Sequence, residues 1–239
     1  MSVKNRRARE REARRAAILD AAERVLEEVG YRNLRMEQVA EAAELSKGTL
    51  YLYFQGKDAL CAGIAERRMK TMTPDLQSVG ASAPNGLTAI GWMSLRFFEN
   101  ARQTPHILRV AIDWFQAPKL DDASDDFRRY RERVNDVLRT MMDTIERGQA
   151  DGSIRADIDP FHKAVQSWSS SIGVHLFLLN AESMQQRIGR AFEPEALRQE
   201  HVASALRSLA SSPDAARAAI EATIRPPTEP SLRKAAGDR

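Results

Sequence analysis

Apolar residues return every three or four positions through segment after segment of this 239-residue chain, and nowhere do β-branched and aromatic residues alternate at period two. That spacing gathers apolar side chains on one face of a helix and cannot serve a half-buried strand. The fold class expected is all-α. Ile18, Ala22, Val25, Leu26 and Val29 line the face of a first helix, which Gly30 ends. Short helices are expected over 36–43 and 46–54, and a fourth from 58 to about 72, stopped before Pro74. The stretch 73–85, with Pro74, Gly80 and Pro84, reads as the join between a small N-terminal and a larger C-terminal domain. Thr104-Pro105, Asp159-Pro160, Glu193-Pro194 and Ser212-Pro213 each place a proline at a first helical position behind a polar or capping residue. Phe127, Tyr130, Val134, Val137, Leu138, Met141 and Ile145 mark a long amphipathic helix ending near Gly148.

Composition narrows the function classes. The one cysteine, Cys61, excludes an intrachain disulfide and any cysteine-based zinc site. The four histidines are scattered at 106, 162, 175 and 201, and no glycine-rich phosphate loop, nucleophile elbow or metal-ligand spacing occurs. A helical enzyme is therefore disfavoured, and no cofactor or metal is expected. No apolar run has membrane-spanning length, and the start is polar and arginine-rich with no apolar core of a secretory signal. A cytoplasmic protein without membrane partners is expected. Net charge is only +3, but Lys4, Arg6, Arg7, Arg9, Arg11, Arg14 and Arg15 face just Glu10 and Glu12 within fifteen residues. Such a segment is either an arm that follows a phosphate backbone or a solvated tail.

The stretch 36–54 carries the most specific signal. A helix-turn-helix needs apolar residues inside two short helices, a small residue where they cross, and a tight connection. Val39, Leu50 and Phe54 supply the buried contacts, Ala40 the crossing, and Leu45 a plug for the turn. Ser46 is a suitable N-cap for the second helix. Outward from it, Lys47 and Lys57 suit phosphates, Gly48 allows close backbone approach, and Thr49 offers a hydroxyl and a methyl to a base edge. Tyr51 and Tyr53 carry phenols within reach of phosphate oxygens, with Tyr53 divided between packing and contact.

Residues from about 18 to 60 resemble the N-terminal domain of TetR-family transcriptional regulators. The resemblance rests on Ile18-Leu-Asp-Ala-Ala22, Gly30-Tyr31, Val39-Ala40, Ser46-Lys-Gly-Thr-Leu-Tyr51, Tyr53-Phe54 and Lys57-Asp58 with Leu60. It implies a three-helix DNA-binding head, a linking fourth helix, and a helical body that binds a small-molecule effector and forms a homodimer through a four-helix bundle. Position by position it assigns DNA contact to Arg35, Ser46, Lys47, Gly48, Thr49, Tyr51, Tyr53 and Lys57. The function it implies is a repressor released from a double-stranded palindromic operator by a small, mainly apolar ligand. An activator or a low-specificity DNA binder on the same scaffold remains open. Two departures stand out. Glu44 occupies the turn position where the family usually has glycine, and a non-glycine residue in a left-handed conformation costs about 1 kcal/mol. Arg35 replaces a small hydroxyl residue, so it cannot cap the helix but can bind phosphate.

The expected organisation is a basic, flexible arm over 1–15, a DNA-binding domain over 16–57, a ligand-binding and dimerisation body over 58–224, and a disordered tail over 225–239. Segments 87–101 and 106–117 are apolar nearly all round and are expected to lie buried at the centre of the body. They surround either a ligand cavity or a packed core. The candidate pocket residues are Trp92, Met93, Phe97, His106, Trp114, Met141, Trp168 and His175. For dimerisation, one stripe is Phe161, Val165, Trp168, Ile172, Leu176 and Leu179, relieved by the small Ser169, Ser170, Ser171 and Gly173. A second is Leu197, Val202, Leu206 and Leu209; internal packing is the alternative reading of both.

Overall fold

The computed structural model describes residues 3–116 and 124–224. The expected tail over 225–239 and the side chains of Lys4 and Phe115 lie outside the described residues. Eleven helices are found among the described residues: α1 (Val3–Asn33), α2 (Met36–Ala42), α3 (Lys47–Tyr51), α4 (Lys57–Ser82), α5 (Gly86–Gln103), α6 (Pro105–Gln116), α7 (Asp125–Ala150), α8 (Pro160–Leu179), α9 (Ala181–Ile188), α10 (Pro194–Leu209) and α11 (Pro213–Ile224). The sole β-type pairing among them is the isolated bridge Ile154–Ala210. None of these helices is long and apolar enough to cross a membrane.

Local chemistry accounts for most of the boundaries. All four proline signals open helices, at Pro105, Pro160, Pro194 and Pro213. Asp159 caps α8 by accepting from the His162 N–H at 2.7 Å, and Asn85 and Ser124 cap α5 and α7 in the same way. Gly30, at φ 73°, breaks α1, and the following turn closes with Leu34 N–H donating to its carbonyl at 3.1 Å.

Two expectations are corrected. The segment before Arg15 is helical from Val3 onward, a continuation of α1. The join expected over 73–85 is mostly helix: α4 runs through Pro74 to Ser82. An interior proline costs about 3 kcal/mol, but Thr73, Leu76 and Gly80 on either side of it are buried where α4 packs on α5 and α7. The Thr73 hydroxyl also bonds back to the Met69 carbonyl at 3.0 Å, occupying a backbone acceptor next to the break. Tertiary burial outweighs the local stop signal.

Two main apolar cores result. One joins α1–α4 with Val110 and Trp114 of α6 and Phe127 of α7, so the head shares its interior with the body. The other gathers Leu87, Ile90 and Phe98 of α5 with Ile145, Ile154, Ala164 and the α10 residues Val202, Leu206 and Leu209. α5 and α7 approach closely where Gly86 meets Gly148: a Cβ built on Gly86 would fall 2.3 Å from the Gly148 Cα.

Candidate DNA-reading face and ligand cavity

The helix-turn-helix forms because its buried and exposed positions separate cleanly. Val39, Ala40, Leu50 and Phe54 are buried, and Leu45 packs against them from the turn. α2 ends in a Schellman motif, with Leu45 N–H donating to the Ala40 carbonyl at 2.9 Å and Glu44 N–H to that of Glu41 at 3.0 Å. That motif needs a left-handed residue, and Glu44 provides it at φ 54°, the only non-glycine residue with positive φ among those described. α3 then starts at Ser46, whose Oγ accepts from the Thr49 N–H at 3.1 Å and lies 2.8 Å from the Thr49 hydroxyl.

Of the residues singled out for DNA, Arg35, Ser46, Lys47, Gly48 and Tyr51 are exposed, and Thr49 and Tyr53 are half-buried. Arg35 sits at the N-cap of α2 in extended conformation; its side chain has no acceptor, and Gln38 Oε1 takes the Arg35 N–H at 2.9 Å instead. Lys47 is paired with Glu37 across the two helices, which raises the lysine pKa and lowers that of the carboxylate. Lys57 is more constrained than expected: it is half-buried, donates to the Tyr31 carbonyl at 3.2 Å and lies 4.3 Å from the Tyr31 ring. Tyr31 is held in turn by Asp58, whose carboxylate accepts from the phenol at 2.5 Å. Leu52 was not singled out, yet it is 75% exposed beside Tyr51. Arg11 of the basic segment lies 5.9 Å from the Tyr53 ring, which brings that segment to the end of the helix-turn-helix.

The body contains a cavity of about 380 Å³ between α4, α5, α6, α7 and α8. Its walls are mainly apolar, with Met69, Met72, Phe97, Ile107, Trp168 and Ile172, while Arg68, Asp75 and Asn100 bring polar groups to it. A narrow recess of about 30 Å³ adjoins it and shares Phe97 and Trp168. Of the eight pocket residues expected, Phe97 and Trp168 line the cavity, and Met93 and Met141 line the recess.

The other four lie elsewhere, each for a visible reason. Trp92 faces α11, where its indole N–H donates to the Ala222 carbonyl at 3.0 Å. Trp114 fills the core shared by head and body, with ring centroids 5.3 Å from Phe127 and 6.5 Å from Tyr31. His106 turns away from the cavity toward α1, its Nε2 3.3 Å from Glu23 and its Nδ1 3.3 Å from Glu27. His175 is buried against Phe98, and burial lowers its pKa. Helical periodicity assigns a residue to a face, but only the packed neighbours decide what that face meets.

A polar cluster that the sequence reading passed over joins head to body. Buried Glu23 on α1 accepts from Arg68 Nε and Nη2 at 2.8 and 2.7 Å and from Arg67 Nη2 at 2.6 Å, beside His106. Burial pushes its pKa up, but the bonds from His106, Arg68 and Arg67 overcome this and hold it down at about 2. A signal was available: Glu23 is four residues after Leu19 and three before Leu26, within the apolar face of α1. Arg15 to Asp126 and Arg32 to Asp113 are further ion pairs from α1 to the body. Cys61 is buried, and burial pushes its thiol pKa up to about 12, so it is a core residue and not a reactive one.

An all-α chain with a helix-turn-helix at one end and a cavity-bearing helical body behind it has the architecture of a DNA-binding head joined to a separate helical module. Residues 18–64 match the profile of bacterial regulatory proteins, tetR family. Over those residues the chain carries a TetR-family DNA-binding domain, built around the helix-turn-helix of α2 and α3. No curated protein matches it in sequence. Solved structures do match its fold. FadR of Bacillus subtilis, solved in complex with stearoyl-CoA, superposes with a TM-score of 0.65 at 16% identity over 80% of this chain and 97% of that one. SmeT, the repressor of the Stenotrophomonas maltophilia multidrug efflux pump SmeDEF, gives 0.63 at 16% identity over 91% and 96%. The ketosteroid transcriptional regulator KstR2 of Mycobacterium tuberculosis gives 0.60 at 17% identity over 83% and 96%.

Proposed function

We propose that the protein is a homodimeric repressor, released from a palindromic operator when a small, mainly apolar molecule fills the cavity of its body. The observation that carries this reading is the path of α4. Its first residue, Lys57, stands beside the helix-turn-helix, and further along the same unbroken helix Arg68, Met69 and Met72 form one wall of the cavity. A ligand that displaces this wall displaces the head. Because the equilibrium is reciprocal, operator DNA weakens ligand binding by the same factor. The apolar lining fits the class of ligand, as do two structural neighbours, one solved in complex with stearoyl-CoA and one a ketosteroid transcriptional regulator.

The head over 16–57 reads DNA through Lys47, Gly48, Thr49 and Tyr51, with Arg35, Ser46, Tyr53 and Lys57 on the flanks. The body over 58–224 provides both cavity and dimer contact. α8 supplies that contact: Phe161 is 52% exposed, Ser169, Ser170 and Gly173 are exposed, and a Cβ on Gly173 would meet nothing within 4 Å. The α10 stripe contributes less, since Val202, Leu206 and Leu209 are buried within the chain. A dimer places its recognition helices in successive major grooves about 34–36 Å apart.

The test is fluorescence anisotropy of the full chain on the duplex upstream of its own gene, titrated with apolar candidate ligands. Specific binding that a ligand reverses is expected. Failure to bind any such duplex at low salt removes the reading, and operator affinity unchanged at saturating ligand removes its inducible part.

A further inference from the structure

We propose that the effector is an apolar monocarboxylate whose head group is taken by Arg68, the guanidinium that otherwise ties α4 to Glu23 of α1. This rests on the cavity being the effector site and goes on to name the ligand chemistry and the bond it breaks.

Among the described residues Arg68 is the one cationic side chain on the cavity wall, and it stands at the rim, its side chain 48% exposed. Asp75, the one carboxylate there among the described residues, is already neutralised: Arg96 lies 3.3 Å from it and the Asn100 amide donates to it at 3.3 Å. An ionised head at the rim keeps part of its hydration while the tail enters the apolar interior, which avoids the penalty of burying a charge. Arginine suits the task, since its planar fork meets a carboxylate with two parallel hydrogen bonds. Arg68 spends Nε and Nη2 on Glu23 Oε1, while its Nη1 meets no acceptor among the described residues.

The Glu23 carboxylate is over-subscribed, and that makes an exchange feasible. It serves two guanidiniums and one imidazole: Arg68 and His106 at Oε1, Arg67 at Oε2. When Arg68 turns to a ligand carboxylate, Arg67 and His106 remain, so the buried charge is not stranded. The competing anions near Arg68 are Glu23 itself and Asp75; Asp20 is paired with Arg67 and Glu27 faces His106. What is lost is a direct tie between the cavity wall on α4 and α1 of the head.

The volume limits the tail. At roughly 30 Å³ per non-hydrogen atom, the share of a water molecule in the liquid, about 380 Å³ holds roughly a dozen such atoms. Decanoate, with its carboxylate at the rim, has a tail within that limit, and decanamide is its uncharged isostere.

Isothermal titration of the full chain with both compounds, in the wild type and in Arg68→Met, tests the assignment. The wild type should bind decanoate at least about tenfold tighter than decanamide, and Arg68→Met should bind the two equally. Glu23→Gln removes the competitor and should bind decanoate several-fold tighter than wild type, which gives a readout in the opposite direction to any folding defect. Equal wild-type affinity for the two compounds, or a preference for decanoate that survives in Arg68→Met, overturns the head-group assignment and leaves the cavity reading standing. Wild type binding neither compound also overturns it, and the cavity reading is then decided by the operator-release titration alone.

Discussion

His106 on α6 stands with its Nε2 3.3 Å from Oε1 of Glu23 on α1, two buried polar groups brought together from positions 83 residues apart. They sit where the head meets the body, beside Arg67 and Arg68 of α4. The carboxylate is the centre of that junction, accepting from both guanidiniums.

The pH dependence follows from Glu23. Its carboxyl titrates at about 2 in the folded protein against an ordinary 4.5, so the unfolded chain takes up the proton first as pH falls. The stabilisation is complete above pH 4.5 and is lost progressively toward pH 2, with a slope of at most about 1.4 kcal/mol per pH unit. Thermal melts between pH 6 and pH 3 should show the wild type losing more of its Tm across this window than Glu23→Gln. Parallel loss in both proteins would place the acid sensitivity elsewhere.

On the proposed reading, a pair within the helix-turn-helix limits operator affinity. Lys47 is held by Glu37, and a phosphate must displace that carboxylate to use the lysine. Glu37→Gln should therefore bind the operator several-fold tighter at low salt, an advantage that fades as salt rises. Lys47→Ala should weaken binding and reduce the slope of log affinity against log salt by about 1. Anisotropy titrations at three salt concentrations measure both effects.

The turn holds recoverable strain. Glu44 adopts φ 54° because the Schellman motif requires a left-handed residue there, and its side chain is exposed. Glu44→Gly should stabilise the protein by about 1 kcal/mol, read as a higher urea midpoint at unchanged m-value. An unchanged or lower midpoint would show that the strain is met elsewhere.

The contact between α5 and α7 tolerates no side chain. Gly86→Ala would set a Cβ 2.3 Å from the Cα of Gly148, a backbone atom that can move only with its helix. Destabilisation of about 1–3 kcal/mol or more is expected. Gly173→Ala, on the open face of α8, should leave the monomer fold unchanged and act on dimerisation, which sedimentation against concentration separates from stability.

Much of the helix-turn-helix was legible because its caps and turn are local. Ser46 accepts from the Thr49 N–H and Glu44 takes the left-handed turn through contacts within a few residues along the chain. The spacing of Val39, Leu50 and Phe54 marks them as inward even though the core they enter is completed by α1 and α4. The cavity was half legible. Met93, Phe97, Met141 and Trp168 were placed at it or its recess, whereas Trp92, His106, Trp114 and His175 shared the same apolar helices but met other neighbours. Arg68 and Glu23 gave no motif, because their bond spans α1 and α4 and depends on how those helices cross.

By itself the sequence determined the helical class, the four proline-led helix starts and the register of the helix-turn-helix, because periodicity, capping and turn chemistry act over one or two helical turns. Tertiary structure alone decided that α4 continues through Pro74, that head and body share one core around Trp114, and which aromatic side chains border a void. Those outcomes are set by burial between helices distant in the chain, where packing energy exceeds the local preference of a single residue.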